Sequence, residues 1–359
     1  MISNAPACPI AGLIVRENQP VNLESPFELL DGLLTPNHLF YVRNHFPIPE
    51  IDCRNHEVSI SGAVQHPVTI SYEEMRAMSA KTRIVTMECA GNSRVFLSPP
   101  VDGVQWQLGA IGTAEWTGVP LSALLHRAGL DEQASEIIFE GADKGLPKEE
   151  PAPPGEIIYA RSIPLSKASD VLIVYAMNGE DLSPEHGYPL RALVPGHYGM
   201  ASVKWLTAIH VAARPFQGYF QTTDYAWWKE NGSSNPERVP LGEMSLKSQI
   251  ARPGIDETIA AGSRYRVVGA AWSASEVDSV QFSDDDGQTW HESMFLDPAH
   301  AGVWRRWQYD WQVPALSGQR TLRSRARDSE GNLQPIQHDK RFGTYVIHHV
   351  LPVRVLICS

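Results

Sequence analysis

From Tyr265 onward the chain is written almost entirely in strand and turn. Tyr265-Arg266-Val267-Val268-Gly269-Ala270-Ala271-Trp272, Val280-Gln281-Phe282-Ser283, Trp304-Arg305-Arg306-Trp307-Gln308-Tyr309-Asp310-Trp311 and Arg320-Thr321-Leu322-Arg323-Ser324-Arg325-Ala326 follow one another. Turn residues separate them every ~8–12 positions, the pattern of a sandwich of about a hundred residues in which two stacked sheets cover each other's apolar faces. The expectation is an all-β, immunoglobulin-like second domain. Its start falls near 240 to 260, which divides the chain into a first domain over 1–245 and a second over 246–359. A chain of 359 residues is long enough for each to bury its own core.

The first domain mixes shorter signals. Pro20, Pro26 and Pro36, with Pro6 and Pro9 before them, recur too often for long helices, so residues 1 to 40 read as an irregular arm. Val58-Ser59-Ile60-Ser61-Gly62-Ala63-Val64 alternates as a half-buried strand does. Ser71-Tyr72-Glu73-Glu74 has the form of a capping box and predicts a short helix through Met78. Leu121, Leu124, Leu125 and Ala128 share one face of a second helix that starts after Pro120 and stops at Gly129. Pro147 to Gly155 reads as a solvated loop, and a strand from Asp170 to Met177 closes on the Asn178-Gly179 turn. No G-x-G-x-x-G follows a strand, so a dinucleotide fold is not supported. The fold class is α+β: a mixed α/β domain followed by the sandwich.

Lys and Arg total 30 against 41 Asp and Glu, a net charge of −11. That field disfavours nucleic acid or an anionic membrane as partner, and an anionic substrate would need a local basic pocket. Cys8, Cys53, Cys89 and Cys358 are scattered, without C-x-x-C, haem-attachment or zinc-finger spacing, so no disulfide framework is implied. The apolar stretch from Phe342 to Cys358 is broken by His348, His349, Pro352 and Arg354 and reads as edge strands, not as a membrane span. Met1-Ile2-Ser3-Asn4 has no basic region, twin arginine or long apolar core. As it stands the sequence points to the cytoplasm, and to the periplasm if a signal segment has been removed.

Chemistry concentrates at Cys89. Thr82-Arg83-Ile84-Val85-Thr86-Met87-Glu88 delivers it into Ala90-Gly91-Asn92-Ser93-Arg94, a small turn that places a sulfur within a ligand's reach and an arginine five positions on. Taken alone, such a thiol is more often an inert buried cysteine. Met87-Glu88-Cys89-Ala90-Gly91-Asn92, however, resembles the signature of the sulfite oxidase family, in which this cysteine binds molybdenum of the molybdopterin cofactor. Tyr41-Val42-Arg43-Asn44-His45-Phe46-Pro47, Gly103-Val104-Gln105-Trp106, Trp116-Thr117-Gly118-Val119-Pro120, His186-Gly187-Tyr188-Pro189-Leu190-Arg191 and Ser202-Val203-Lys204-Trp205 extend the likeness in the family's order.

The resemblance implies a Mo-molybdopterin cofactor with Cys89 as the metal ligand, a soft thiolate suited to molybdenum. It implies that Arg191 and Lys204 meet the pterin phosphate, that Ser202 and Val203 add local contacts, and that Tyr41, Arg43, Asn44, His45, Asp143 and His186 line the pterin. Structural histidines at 45 and 186, a snorkelling lysine at 204 and a turn aspartate at 143 are the plain alternatives. For the substrate it implies Arg43 and Arg94 on an oxyanion, Trp106 in the pocket wall and Tyr225 beside the reacting oxygen. Two departures bear on substrate identity: Ser93 stands where the family usually has a second arginine or a related polar residue, and Arg341, in a stretch that lacks the family's tryptophan, is either the counterpart of a C-terminal pocket arginine or an exposed strand residue.

The implied activity is oxidation of sulfite to sulfate by oxygen-atom transfer, with electrons passed to an external acceptor such as a cytochrome, another small redox partner or dioxygen. The implied assembly is a homodimer formed through the sandwich. The alternatives are a related molybdoenzyme acting on another sulfur compound or a sulfoxide, and a noncatalytic carbohydrate-binding module. The last is suggested by Ser283-Asp284-Asp285-Asp286-Gly287-Gln288-Thr289-Trp290, which fits an Asp-box but occurs once, whereas a propeller needs repeats.

Overall fold

The computed structural model describes residues 12–148, 151–229 and 237–359; Pro6, Pro9, Cys8 and the Glu149-Glu150 pair lie outside them. Two five-stranded sheets build the first part. One orders Glu180–Asp181, Leu172–Met177, Ile111–Pro120 and Lys81–Glu88, with Arg191–Leu193 also paired to Leu172–Met177. The other orders Val68–Ser71, Glu57–Gly62, Leu206–Ala212, Glu136–Gly145 and Ile157–Pro164, and its Leu206–Ala212 strand runs parallel to Glu57–Gly62.

Local chemistry sets the helices as the sequence predicts. The Ser71 hydroxyl accepts from the Glu74 amide and caps Tyr72–Ala77. Helix Leu121–Ala128 buries Leu121, Leu124, Leu125 and Ala128 and stops at Gly129, whose φ of 67° a side chain would resist. Asn178 and Gly179 both have positive φ and turn Leu172–Met177 back onto Glu180–Asp181.

The C-terminal part is a β-rich unit of two sheets. Lys247–Arg252, Arg264–Trp272, Arg305–Gln312 and Met294–Phe295 form one; Glu257–Ala260, Val353–Cys358, Gly318–Asp328, Val277–Ser283 and His291–Glu292 form the other. Val267, Trp307, Trp311, Phe282, Leu322 and Val355 fill the space between them. At the Asp-box, Asp285 accepts from the Gln288 and Thr289 amides and the Thr289 hydroxyl, and the Ser283 hydroxyl donates to it. The motif is a hairpin turn of the sandwich.

Three expectations are corrected. The arm carries a hairpin, Ile14–Asn18 with Val21–Glu24, because Pro20 falls in its turn and costs no ladder bond. Val353–Cys358 is an interior strand between Glu257–Ala260 and Gly318–Asp328; its alternating burial reflects two faces of a paired strand, and residues 343–352 before it are irregular. The two parts also do not keep wholly separate cores: Ala251, Ala270, Trp272 and Trp304 join the cluster that holds Ile60, Ile137, Ile173 and Leu206. The seam is also hydrogen-bonded, with the Trp304 amide donating to the Thr86 hydroxyl (2.8 Å), the Trp304 indole to the Leu33 carbonyl (2.8 Å) and the Val346 amide to the Ala90 carbonyl (2.8 Å). Among the described residues no helix is long and apolar enough to cross a membrane.

The Asp285 carboxyl is drawn down to about 2, chiefly by the Thr289 hydroxyl and amide. A depressed native value contributes stability above the unfolded value and loses it as pH falls through the native one. Asp285→Asn should therefore lower the urea midpoint at neutral pH, and the difference from wild type should close as pH is taken from ~4 towards ~2. A gap that persists at low pH would contradict the turn's dependence on the ionised carboxylate.

Candidate functional site

Cys89 is delivered by a strand that sinks as it runs. Lys81–Glu88 passes from exposed Lys81 to four buried residues, paired throughout with Ile111–Pro120. The Cys89 amide continues the ladder by donating to the Ala110 carbonyl (2.8 Å), and the chain then turns: Asn92 donates its amide to the Cys89 carbonyl (2.9 Å) and its side chain to Glu88 (3.0 Å), while accepting from the Ala110 amide (3.2 Å). Ser93 closes the turn at φ 75°. Cys89 is 7% exposed, and burial pushes its thiol up against the opposing pull of Arg43 and Arg94.

A cleft of about 640 Å³ opens on this sulfur. Tyr41, Arg43, Asn44 and His45 line it on one side, from a segment pinned to the arm by the Leu23–Val42 bridge and by the Asn44 amide donating to Asn22 (2.7 Å). Asp143, His186, Arg191, Ser202, Lys204 and Tyr225 complete the ring of predicted residues. Phe40, Met87, Tyr159, Glu185 and Trp205 also line it; sequence reading missed them, and apart from their neighbouring motifs they carry no local signal.

The lining is charged and largely desolvated. Arg191, 5% exposed, donates to the carbonyls of His186 (3.0 Å) and Ser202 (2.9 Å), lies over Trp116, and leaves its Nε without a partner. Burial lowers it to about 10. Lys204 donates to the Asn44 side chain and the Glu185 carbonyl and rides over Trp205 at 4.2 Å. Burial, followed by Arg191, pulls it below the ordinary lysine range.

Asp143 sits where the Glu136–Gly145 strand slips register. Burial lifts it to about 6 against the pull of Lys204, and its Oδ1 has no partner. His186 is lowered to about 3 by burial and then by Arg191 and Lys204, so it is neutral. His45 is lowered too, by burial and then Arg43; it shares a 2.7 Å hydrogen bond with the Tyr225 hydroxyl and stacks on Tyr159.

Four predicted residues stand elsewhere. Val203 is core, and its carbonyl accepts from Ala192. Trp106 is fully buried in the cluster that holds Phe40 and Cys89, and its indole nitrogen has no partner. Arg94, 4% exposed, spends donors on Thr344 (2.8 and 3.2 Å) and on the Val104 carbonyl (2.8 Å), under the Tyr345 ring. It holds the base of the turn and does not line the cleft, because residues 344 and 345 cover it. Arg341 is paired with Asp339, lies near Trp227, and is not among the lining residues either.

The donor set fits a large polar anion carrying a soft metal: one thiol, three cations (Arg43, Arg191, Lys204), and two buried polar atoms, Asp143 Oδ1 and Arg191 Nε, with unused capacity. Comparison with known proteins agrees. Residues 45–220 match the family model described as the oxidoreductase molybdopterin binding domain, and residues 238–342 the Mo-co oxidoreductase dimerisation domain. Sulfite oxidase of Gallus gallus is 34% identical over 349 residues, covering 90% of this chain and 73% of that protein. Mitochondrial sulfite oxidase of Mus musculus is 34% identical over 343 residues, and the chain spans 61% of its length. The crystal structure of the sulfane dehydrogenase SoxCD from Paracoccus pantotrophus matches with a TM-score of 0.81 at 25% identity, covering 94% of this chain and 85% of that one.

Because Arg191 supports two buried carbonyls, its removal should be felt by the fold itself. Arg191→Met strips two buried carbonyls of their donor but also removes a desolvated cation, so it should cost about 1–2 kcal/mol in urea unfolding of the protein without added cofactor. An unchanged midpoint would show that the arginine serves only what enters the cleft.

Proposed function

The chain belongs to the sulfite oxidase family of molybdopterin-dependent oxidoreductases, and from that premise we propose that it oxidises sulfite to sulfate and hands the electrons to an external acceptor. The observation that carries this reading is the Cys89 sulfur at a cleft lined by Arg43, Arg191 and Lys204 in a protein of net charge −11. When bound, molybdenum held by the pterin's sulfurs and the Cys89 thiolate supplies two-electron oxygen-atom transfer. Arg191 and Lys204, with the neighbouring Ser202, form the cationic end that suits the pterin phosphate. Asp143, lifted towards neutrality, and neutral His186 suit the pterin's uncharged donors and acceptors.

Arg43 takes the substrate end. A depression of about 1160 Å³ beside the cleft is lined by Arg43 and His45 as well, together with Glu17, Asp102 and Lys148. Arg43 thus stands on both, where an entering oxyanion would meet it. The His45–Tyr225 hydrogen bond fixes the tyrosine hydroxyl in the same region. Arg94 supports the turn and does not contact the substrate in this reading.

A second reading follows from the same fact. With Arg94 covered and Arg341 engaged by Asp339, less fixed charge faces the substrate, which favours a less charged sulfur compound of the kind the name sulfane dehydrogenase denotes. The C-terminal unit's match to a dimerisation domain supports a homodimer, which sedimentation at micromolar concentration would test.

Anaerobic addition of sulfite to molybdenum-loaded protein decides between the readings. Bleaching of the thiolate-to-molybdenum absorption with one sulfate per metal is expected. No bleaching at full occupancy would overturn sulfite in favour of another sulfur substrate. Arg43→Gln should lower kcat/KM by about 10–100-fold, the loss of a charge-assisted contact, at unchanged metal content.

A further inference from the structure

Glu88, the residue before Cys89, is 3% exposed and carries a carboxylate whose partners come from both parts of the molecule. Its Oε1 accepts from Asn92 (3.0 Å) and from the ammonium of Lys247 (3.2 Å), and its Oε2 from the indole of Trp272 (2.8 Å). Lys247 and Trp272 are directly opposite each other on the antiparallel Lys247–Arg252 and Arg264–Trp272 strands, so one face of the sandwich presents both donors side by side. The ammonium is itself 1% exposed and lies 5.6 Å from the Trp272 ring. Its other hydrogen bond goes to the Ser93 hydroxyl (2.9 Å), four residues beyond Cys89.

We infer that Lys247 is a positioning residue for Cys89: one ammonium from the second domain grips both ends of the turn that carries the sulfur, making that domain part of the metal site. The inference rests on the reading of Cys89 as the molybdenum ligand. The grip is not needed merely to hold two domains together, since an apolar pair of similar volume would stabilise a buried seam at least as well. What an ion pair with three further hydrogen-bonded neighbours adds is direction. It fixes where strand Lys81–Glu88 ends, holds Ser93 in a left-handed conformation that serine seldom adopts, and so sets the span and path of the four residues between. The Val346 amide, donating to the Ala90 carbonyl, gives the same turn a further hold from the second domain.

The test uses two variants that leave no charge stranded. Glu88→Gln/Lys247→Met neutralises the pair while glutamine can still accept from Trp272. Ser93→Gly removes the hydroxyl, and with it the tether to Lys247 and the longer hydrogen bond that the hydroxyl donates to Gln249 (3.4 Å), while leaving the Glu88–Lys247 pair in place, and it suits a positive φ. Each is loaded with cofactor alongside wild type, and three quantities are read: thermal midpoint, the thiolate-to-molybdenum absorption band, and the rate at which molybdenum is lost on dialysis. The expected result is a retained thermal midpoint with a displaced band and metal loss faster by about 10–100-fold, the range for residues that orient a ligand. A wild-type band and loss rate in both variants would overturn the inference and leave the pair as domain contact only. Should the double variant not fold, Ser93→Gly decides alone by the same two readouts. If wild type itself takes up no molybdenum cofactor, it is the reading of Cys89 that fails.

Discussion

A carboxylate and an ammonium, both buried, meet where the two halves of this protein join, and the turn that carries the reactive sulfur is arranged around that contact. Glu88 and Lys247 cannot be separated cheaply, because either alone would be a desolvated charge with too few partners. Trp272, Asn92 and Ser93 complete their coordination, so the end of one strand, the turn after it and the face of a distant sheet are fixed as a unit. Arg94 extends the same logic at the turn's far end by donating to Thr344 and Val104.

The cleft above the turn inverts the protein's overall charge. The chain's net charge is −11, while three cations line one cleft, two of them braced by carbonyls and aromatic rings. Loss of hydration shows in the lowered values of Arg191, Lys204, His186 and His45, and neighbouring cations add to it at the last three. Groups strained in that direction are relieved by an anion, so the electrostatics select what can settle there before any shape is considered.

Much of the site was legible because its residues travel in short segments. Tyr41 to His45, Cys89, His186 to Arg191 and Ser202 to Lys204 each bring several lining groups on one piece of backbone, and the fold class followed from strand spacing and two capped helices. What could not be read depends on contacts between distant residues. Arg94 looks like a free guanidinium until Thr344 and Tyr345 are laid over it. Lys247 looks like an ordinary strand lysine, although its neighbours Ser248, Gln249 and Ile250 are all buried as well, and a run buried on both faces is a signal that a lysine within it must be paired. Val353–Cys358 alternates like an edge strand yet lies inside its sheet, because a neighbour's identity is not written in a strand's own sequence.

The cleft draws its walls from residues 40 to 225, and its floor is fastened by residues 247 and 346. Contacts of such long sequence separation form late, after the loops between them have been closed at an entropic cost. In the folded protein the path of the turn at Cys89 depends on the strand that begins at Lys247 being in place. A cofactor bound through Cys89 would therefore meet a complete turn only in chains whose two halves have joined, and its loading would be a record of assembly.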